Sequence, residues 1–287
     1  MEKIGFFGLG QMGSNIADRL LTLGYNIISV KRGKFNNLKN KFDNFELLEN
    51  PKKVSECSDI IISCVDTINN LEELVFGDLG VIKANNIPKY FLDLGTGKPS
   101  FANRLSKDFE NKGCLYVDMP IGRTPQHALE GKINLFISST EEKLKNNIVL
   151  LKNIAENLFF LEKIGEGTRI KLINNFYGQA ITLIFGKLLN ISKDNEVKIR
   201  NLYNVMNSGP LGSPMLGALT DYYEGKKEGN MEFSIKNAYK DLSYFKEEFF
   251  SQDEDHLINL VLDIFKKAID GGNGEKSVAE IANTIYK

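Results

Sequence analysis

Two textures of hydrophobic patterning divide this chain. Through the first half, short apolar runs at 4–9, 26–30, 60–65, 90–94, 115–118 and 133–137 alternate with amphipathic stretches. Such runs read as strands, and the stretches between them as helices. Regular alternation of the two predicts an α/β domain built on a doubly wound parallel sheet. After Ile164-Gly165-Glu166-Gly167 the strand signal stops and helical spacing dominates. Helices are predicted at 168–191, 196–207, 216–223, 235–248, 256–270 and 278–286. The break assigns 1–164 to a sheet-based domain and 165–287 to an all-helical one.

The first strand leads into Gly8-Leu9-Gly10-Gln11-Met12-Gly13, which fits G-x-G-x-x-G. An amphipathic helix carrying Ile16, Leu20, Leu21 and Leu23 follows, and Gly24 closes it. In that setting Gly8 permits a tight turn, Gly10 lets backbone approach a pyrophosphate, and Gly13 allows close helix–strand packing. The helix N-terminus then offers free N–H groups and a positive dipole end to the phosphates. A Rossmann-type dinucleotide site is therefore expected. At the end of the second strand stand Lys31, Arg32 and Lys34, with no carboxylate nearby. Cationic side chains suit a 2′-phosphate, so NADP(H) is expected in preference to NAD(H). Ligands of such sheets bind beyond the strands' carboxyl ends, which puts Val65 and Thr96 beside the cofactor.

The helix at 168–191 should run on the order of 35 Å at about 1.5 Å per residue. Leu172, Ile173, Phe176, Ala180, Ile181, Leu183, Ile184 and Phe185 make it apolar nearly all round, so it should be largely buried. Yet Lys171, Asn174, Asn175 and Gly178 fall on one face. A polar stripe on a buried helix is costly unless it is paired or faces a cleft. The residues alone fit either a structural lysine or one that donates a proton or hydrogen bond to a substrate oxygen. Asp118-Met119-Pro120-Ile121-Gly122-Arg123-Thr124-Pro125 follows a first-half strand. Its prolines stiffen the loop, and Arg123 offers a planar fork of donors suited to a carboxylate, phosphate or sulfonate. The same residue also reads as an exposed loop arginine. Lys240-Asp241, by pattern alone, reads as surface.

Composition removes several function classes. Thirty-six basic and 37 acidic residues balance, which argues against a general nucleic-acid or membrane-surface binder. No apolar run reaches membrane-spanning length, and no signal peptide precedes the first strand. Three cysteines without a C-x-x-C pair fit a reduced, cytoplasmic setting, and two histidines exclude a His-rich metal site.

Taken together, five motifs resemble the β-hydroxyacid dehydrogenase family over essentially the whole chain. They are the opening glycine turn, Asp93-Leu94-Gly95-Thr96-Gly97-Lys98-Pro99, Asp118-Met119-Pro120, Gly167-Thr168-Arg169-Ile170-Lys171-Leu172-Ile173-Asn174-Asn175, and Lys240-Asp241. The resemblance implies that Lys171 is catalytic, with Asn175 orienting it. It implies that Asn174 and Lys240 line substrate and nicotinamide, and that Leu9, Gln11, Met12, Lys31, Val65 and Thr96 touch the cofactor. The substrate loop departs from the common Ser-Gly-Gly: Gly122-Arg123-Thr124 stands there, similar to sulfolactaldehyde reductases, in which the arginine meets the sulfonate. Gly178 stands where those enzymes carry serine, at the pocket floor, and Gly95 replaces the serine of the second motif.

The expected activity is reversible reduction of a small anionic aldehyde, such as sulfolactaldehyde or succinic semialdehyde, to the primary alcohol. Activity of the 3-hydroxyisobutyrate or tartronate semialdehyde type is the alternative among dehydrogenases. Outside them stand imine reduction and a non-catalytic, cofactor-bound interaction module, and Lys171 argues against both. The apolar second half predicts a homodimer or homotetramer. His127, Glu130 and 207–214 are near the expected pocket without an assigned role.

Overall fold

The computed structural model describes residues 2–31, 36–226, 231–250 and 256–285. Its described strands are β1 (Lys3–Phe7), β2 (Asn26–Val30), β3 (Phe45–Leu48), β4 (Ile60–Ser63), β5 (Tyr90–Asp93), β6 (Leu115–Asp118), β7 (Ile121–Gly122), β8 (Ile133–Ser138) and β9 (Ala155–Leu161). The first six form one sheet in the order β3-β2-β1-β4-β5-β6, every pairing parallel. The direction of winding reverses beside β1 and β4, which is where such sheets open a ligand crevice.

Continuous apolar strands follow from burial on both faces. Ile4 and Phe6 of β1, Ile60 and Ile62 of β4, Leu92 and Val117 belong to one core. Phe7, Ile61, Phe91 and Tyr116, one residue out of phase, belong to the other. The period of two sorts side chains onto opposite faces.

Three departures from the expected pattern concern strands. The run at 133–137 does not extend the main sheet. β7 starts directly after Pro120 and pairs antiparallel with β8, drawing β8 into a separate sheet of order β7-β8-β9. β3 and β9 carry no clear apolar period: Glu46 interrupts one, Glu156 and Asn157 the other. Both are recruited by a neighbouring strand rather than by their own pattern.

The chain divides into two compact units, Met1–Lys171 and Leu172–Lys287. The long helix, Glu166–Asp194, contributes its first residues to the first unit and the remainder to the second. The change of texture near Gly165 marks the start of that helix. In the second unit, helices at Ile199–Asn207, Pro214–Tyr223, Ile235–Phe249 and His256–Ala268 follow. Leu172, Leu183, Leu242, Phe265 and Ile281 form its larger core.

The long helix is less buried than its composition suggests. Within this chain Ile173, Tyr177, Ile184 and Ile191 are 50%, 66%, 61% and 47% exposed. Leu172, Leu183, Phe185 and Leu189 suffice for the buried side, so the other apolar face has no cover of its own.

Two buried carboxylates close the carboxyl edge of the sheet. Asp93 and Asp118 are register partners at the ends of β5 and β6, and both are almost fully buried. Asp118 Oδ1 accepts from the Gly165 N–H at 2.8 Å. Its Oδ2 accepts from Thr168 Oγ1 at 2.8 Å, Ser138 Oγ at 2.9 Å and the Thr168 N–H at 3.2 Å. Ser138 Oγ in turn accepts from the Gly167 N–H at 2.7 Å. The start of the long helix is thereby fixed to the strand end. Asp93 accepts from the Gly95 N–H at 3.1 Å and from the Tyr116 hydroxyl at 2.9 Å. Burial pushes its carboxyl up to about 7, against the pull of those two donors, and the neighbouring Asp118 adds to the rise.

Candidate active site

Glycines assemble the first part of the site because no other residue fits. Gly8 has φ +84, and a Cβ there would lie 2.4 Å from backbone atoms of Cys64. A Cβ on Gly13 would lie 1.9 Å from the Gly8 carbonyl oxygen. These contacts hold the turn after β1 against the end of β4. Gly10 differs, since a Cβ there would meet nothing within 4 Å. It caps the helix Gln11–Thr22 without a side-chain hydrogen bond, and no acidic residue occupies that helix's first turn. Open space above the first turn of a helix that no side chain caps fits a pyrophosphate. Gln11 is exposed, Met12 half-buried and Leu9 buried beneath the turn.

The neighbouring strand ends complete this edge. A Cβ on Gly95 would stand 2.8 Å from the Val65 carbonyl oxygen. A serine at that position would therefore collide, and glycine lets the Gly95-Thr96 turn lie against Val65. Both Val65 and Thr96 remain half-exposed. Lys31 is exposed just beyond β2, its N–H donating to the Leu48 carbonyl at 2.8 Å. Arg32 and Lys34 lie outside the described residues.

The loop at 118–125 is attached to the helix that follows the glycine turn. Asn15, on the first helix, donates through Nδ2 to the Pro125 carbonyl at 2.8 Å. Gly122 is buried in β7, and Thr124 precedes the helix Pro125–Glu130, its hydroxyl sharing a 2.7 Å hydrogen bond with His127 Nδ1. Glu130 pairs with Lys132 at 2.8 Å. The Arg123 guanidinium donates to the Lys132 carbonyl at 2.6 Å and forms an ion pair with Glu156. It is a bonded group rather than a bare loop arginine.

Lys171 is half-buried and sits three residues beyond Thr168. The Asp118 contacts therefore fix the turn that carries it. In the second unit, Asn175 Nδ2 donates to Asp241 Oδ2 at 2.6 Å, and Lys240 Nζ lies 3.2 Å from Asp241 Oδ1. Lys240 also lies over the Tyr244 ring, 5.7 Å from its centre. Lys240-Asp241 is no loose surface pair, since Asp241 is 3% exposed. Asn174 is exposed, and Gly178 faces Met215, whose Cε would meet a Cβ at 3.8 Å. The 207–214 segment, with Tyr203, lines an open hollow.

Asn15, Ser138, Thr168 and Glu156 carry roles that the residue pattern alone does not assign. The available signal for Ser138 and Thr168 is a polar residue at a strand end and a hydroxyl in a helical first turn. Nothing local marks Asn15 or Glu156, whose partners are remote in sequence. Among the described residues no group of His, Cys, Asp and Glu is arranged to hold a metal ion.

The family described as the NAD binding domain of 6-phosphogluconate dehydrogenase matches residues 3–163, more than half of the chain. A 3-sulfolactaldehyde reductase from Escherichia coli (strain K12) is 28% identical over 207 residues, covering 69% of each chain. A 2-(hydroxymethyl)glutarate dehydrogenase from Eubacterium barkeri is 27% identical over 173 residues, 60% of this chain and 58% of its own. The Mycobacterium tuberculosis 3-hydroxyisobutyrate dehydrogenase structure with L-serine superposes with a TM-score of 0.86 at 16% identity and full coverage of both chains, a likeness of fold.

The glycine turn yields a test that separates folding from binding. Gly10→Ala should leave the melting temperature unchanged and weaken NADPH binding about tenfold or more by titration. Gly13→Ala, with its Cβ inside the Gly8 carbonyl, should lower the melting temperature. A Gly10→Ala protein that binds NADPH as tightly as the parent would contradict the placement of the pyrophosphate.

Proposed function

Because the chain belongs to the β-hydroxyacid dehydrogenase family and is an NAD(P)-dependent oxidoreductase, we propose that it reduces a short anionic aldehyde to the primary alcohol. The substrate class is a semialdehyde ending in a sulfonate or carboxylate. The glycine turn would hold the pyrophosphate of NAD(P)H, which when bound would supply the hydride. Lys171 donates a hydrogen bond and then a proton to the carbonyl oxygen as negative charge develops on it. Arg123 holds the anionic end and so fixes the carbonyl's position, which is the orientation part of the rate gain. The family resemblance assigns Asn174, Asn175, Gly178 and Lys240 to the substrate as well, and within their own unit Asn175 and Lys240 are both held by Asp241.

The observation that carries this reading is the attachment of the Lys171 turn to the carboxyl edge of the sheet through Asp118. It gives the lysine a fixed position in the same unit as the nucleotide turn and Arg123. NADP(H) preference rests on Lys31, Arg32 and Lys34, with no carboxylate among residues 31–34. The similarity to an enzyme named for sulfolactaldehyde favours a sulfonate among the anions considered.

Self-association belongs to the same proposal. Ile173, Tyr177, Ile184 and Ile191 recur at spacings that keep them on one helix face, and all are substantially exposed. Apolar surface of that extent marks an interaction site, here with a second copy of the chain.

Replacing Lys171 with Ala should lower kcat on the best of a panel of short anionic aldehydes by at least about 10²–10³. NADPH affinity should stay within about twofold of the parent. A near-normal kcat would remove Lys171 from the chemistry. Light scattering on the purified protein should give a dimer or tetramer, and a monomer alone would refute the assembly.

A further inference from the structure

Two rare local devices meet at one ion pair. Arg123 has φ 78, left-handed backbone that a bulky residue seldom adopts. Glu156 is the extra residue of a strand irregularity: Ile133 pairs with Ala155 and Asn134 with Asn157, so the register skips it. A bulge of this kind re-aims a side chain. The two residues end with Glu156 Oε2 against Arg123 Nη1. Their side chains are 29% and 51% exposed, and pairs this open to water add little to stability. The fold therefore supplies two irregularities for a contact of small stabilising value. That argues for a role in placement rather than cohesion.

The pattern of donors says what is placed. Both hydrogen bonds of the Arg123 side chain among the described residues leave from Nη1, one to the Lys132 carbonyl and one to Glu156. The Nε and Nη2 edge, two parallel N–H groups, is left for another acceptor. That edge is the one that takes an oxyanion in bidentate fashion. We propose that Glu156 is the positioning residue of Arg123: it ties down one amino group so that the opposite edge of the guanidinium faces the anionic end of the substrate. The proposal rests on the reading of Arg123 as anion anchor. Glu156 also brings a negative charge near that anion, so its geometric contribution and its charge act in opposite directions.

Substitutions separate the two effects. Glu156→Ala removes the acceptor, whereas Glu156→Gln keeps an acceptor oxygen and removes the charge. Steady-state kinetics of the full-length protein with NADPH would compare succinic semialdehyde with butanal, its neutral counterpart in length. Calorimetric titration of the NADP+-saturated protein with 4-hydroxybutanoate would give a binding constant independent of turnover. Glu156→Ala should raise KM for the semialdehyde and Kd for 4-hydroxybutanoate about three- to tenfold. It should leave kcat and KM for butanal unchanged. Glu156→Gln should restore both constants to parental values or lower. Arg123→Ala should raise both anion constants at least about tenfold and spare butanal. If Arg123→Ala shows that selectivity and Glu156→Ala does not, the positioning role is overturned while the anchor stands. A Glu156→Gln protein no better than Glu156→Ala, or equal changes for both aldehydes, would likewise overturn it. If Arg123→Ala shows no preference for anions, the anchor reading itself falls, and this proposal with it.

Discussion

A buried carboxylate that accepts hydrogen bonds from Gly165, Thr168 and Ser138 joins the end of β6 to the start of the long helix. An isolated charge at that depth would be strongly unfavourable, and four donors make it tolerable. The consequence is directional. Asp118 reads the first N–H groups of the helix, which otherwise have no partner, and negative charge is favoured at that terminus. Strand end and helix start thus become one rigid joint. Lys171 rides on the next residues of the helix, and Arg123 leaves the same strand through Pro120 and β7. One carboxylate therefore fixes the turn that carries Lys171, at the end of the strand from which the Arg123 loop departs.

Asp93, its register partner, performs the matching task one strand over. It ties down the turn at Gly95 that lies against Val65. Its carboxyl is pushed up to about 7 because burial outweighs the help of Tyr116 and Gly95. An acid raised in this way stabilises the fold most fully below its unfolded value near 3.8, and that contribution is lost as pH rises through 7. Asn15 then links the glycine-turn helix to Pro125. Glycine turn, strand-end turn, the 118–125 loop and the start of the long helix are held by a few buried or half-buried polar contacts.

Much of this is legible in the residues. Gly8 and Gly13 announce a turn that admits no side chain, and the packing around them reproduces that demand to within a van der Waals contact. Ile60 and Ile62 against Ile61 show the two-sided burial that parallel strands require. Other features depend on partners far away in the chain. β9 carries Glu156 and Asn157 where a strand pattern wants apolar residues, and only β8 makes it a strand. The apolar girth of the long helix promises burial, but a helix has two sides and this chain covers one. Lys240-Asp241 looks like surface because its partner, Asn175, is 66 positions away. Arg123 is readable as a donor fork, while the contact that tethers it is not, since a bulged glutamate has no signature in a single sequence.

If Asp118 fixes the lysine-bearing turn to the nucleotide-binding sheet, Asp118→Asn should loosen that joint, because the amide keeps the size while turning one acceptor into a donor that faces other donors. Amide hydrogen exchange should accelerate over residues 165–171 and stay unchanged in β1 and β2, with kcat down about tenfold or more at unaltered NADPH affinity. Parental exchange across that turn together with a parental kcat would show that the carboxylate does not hold the site together.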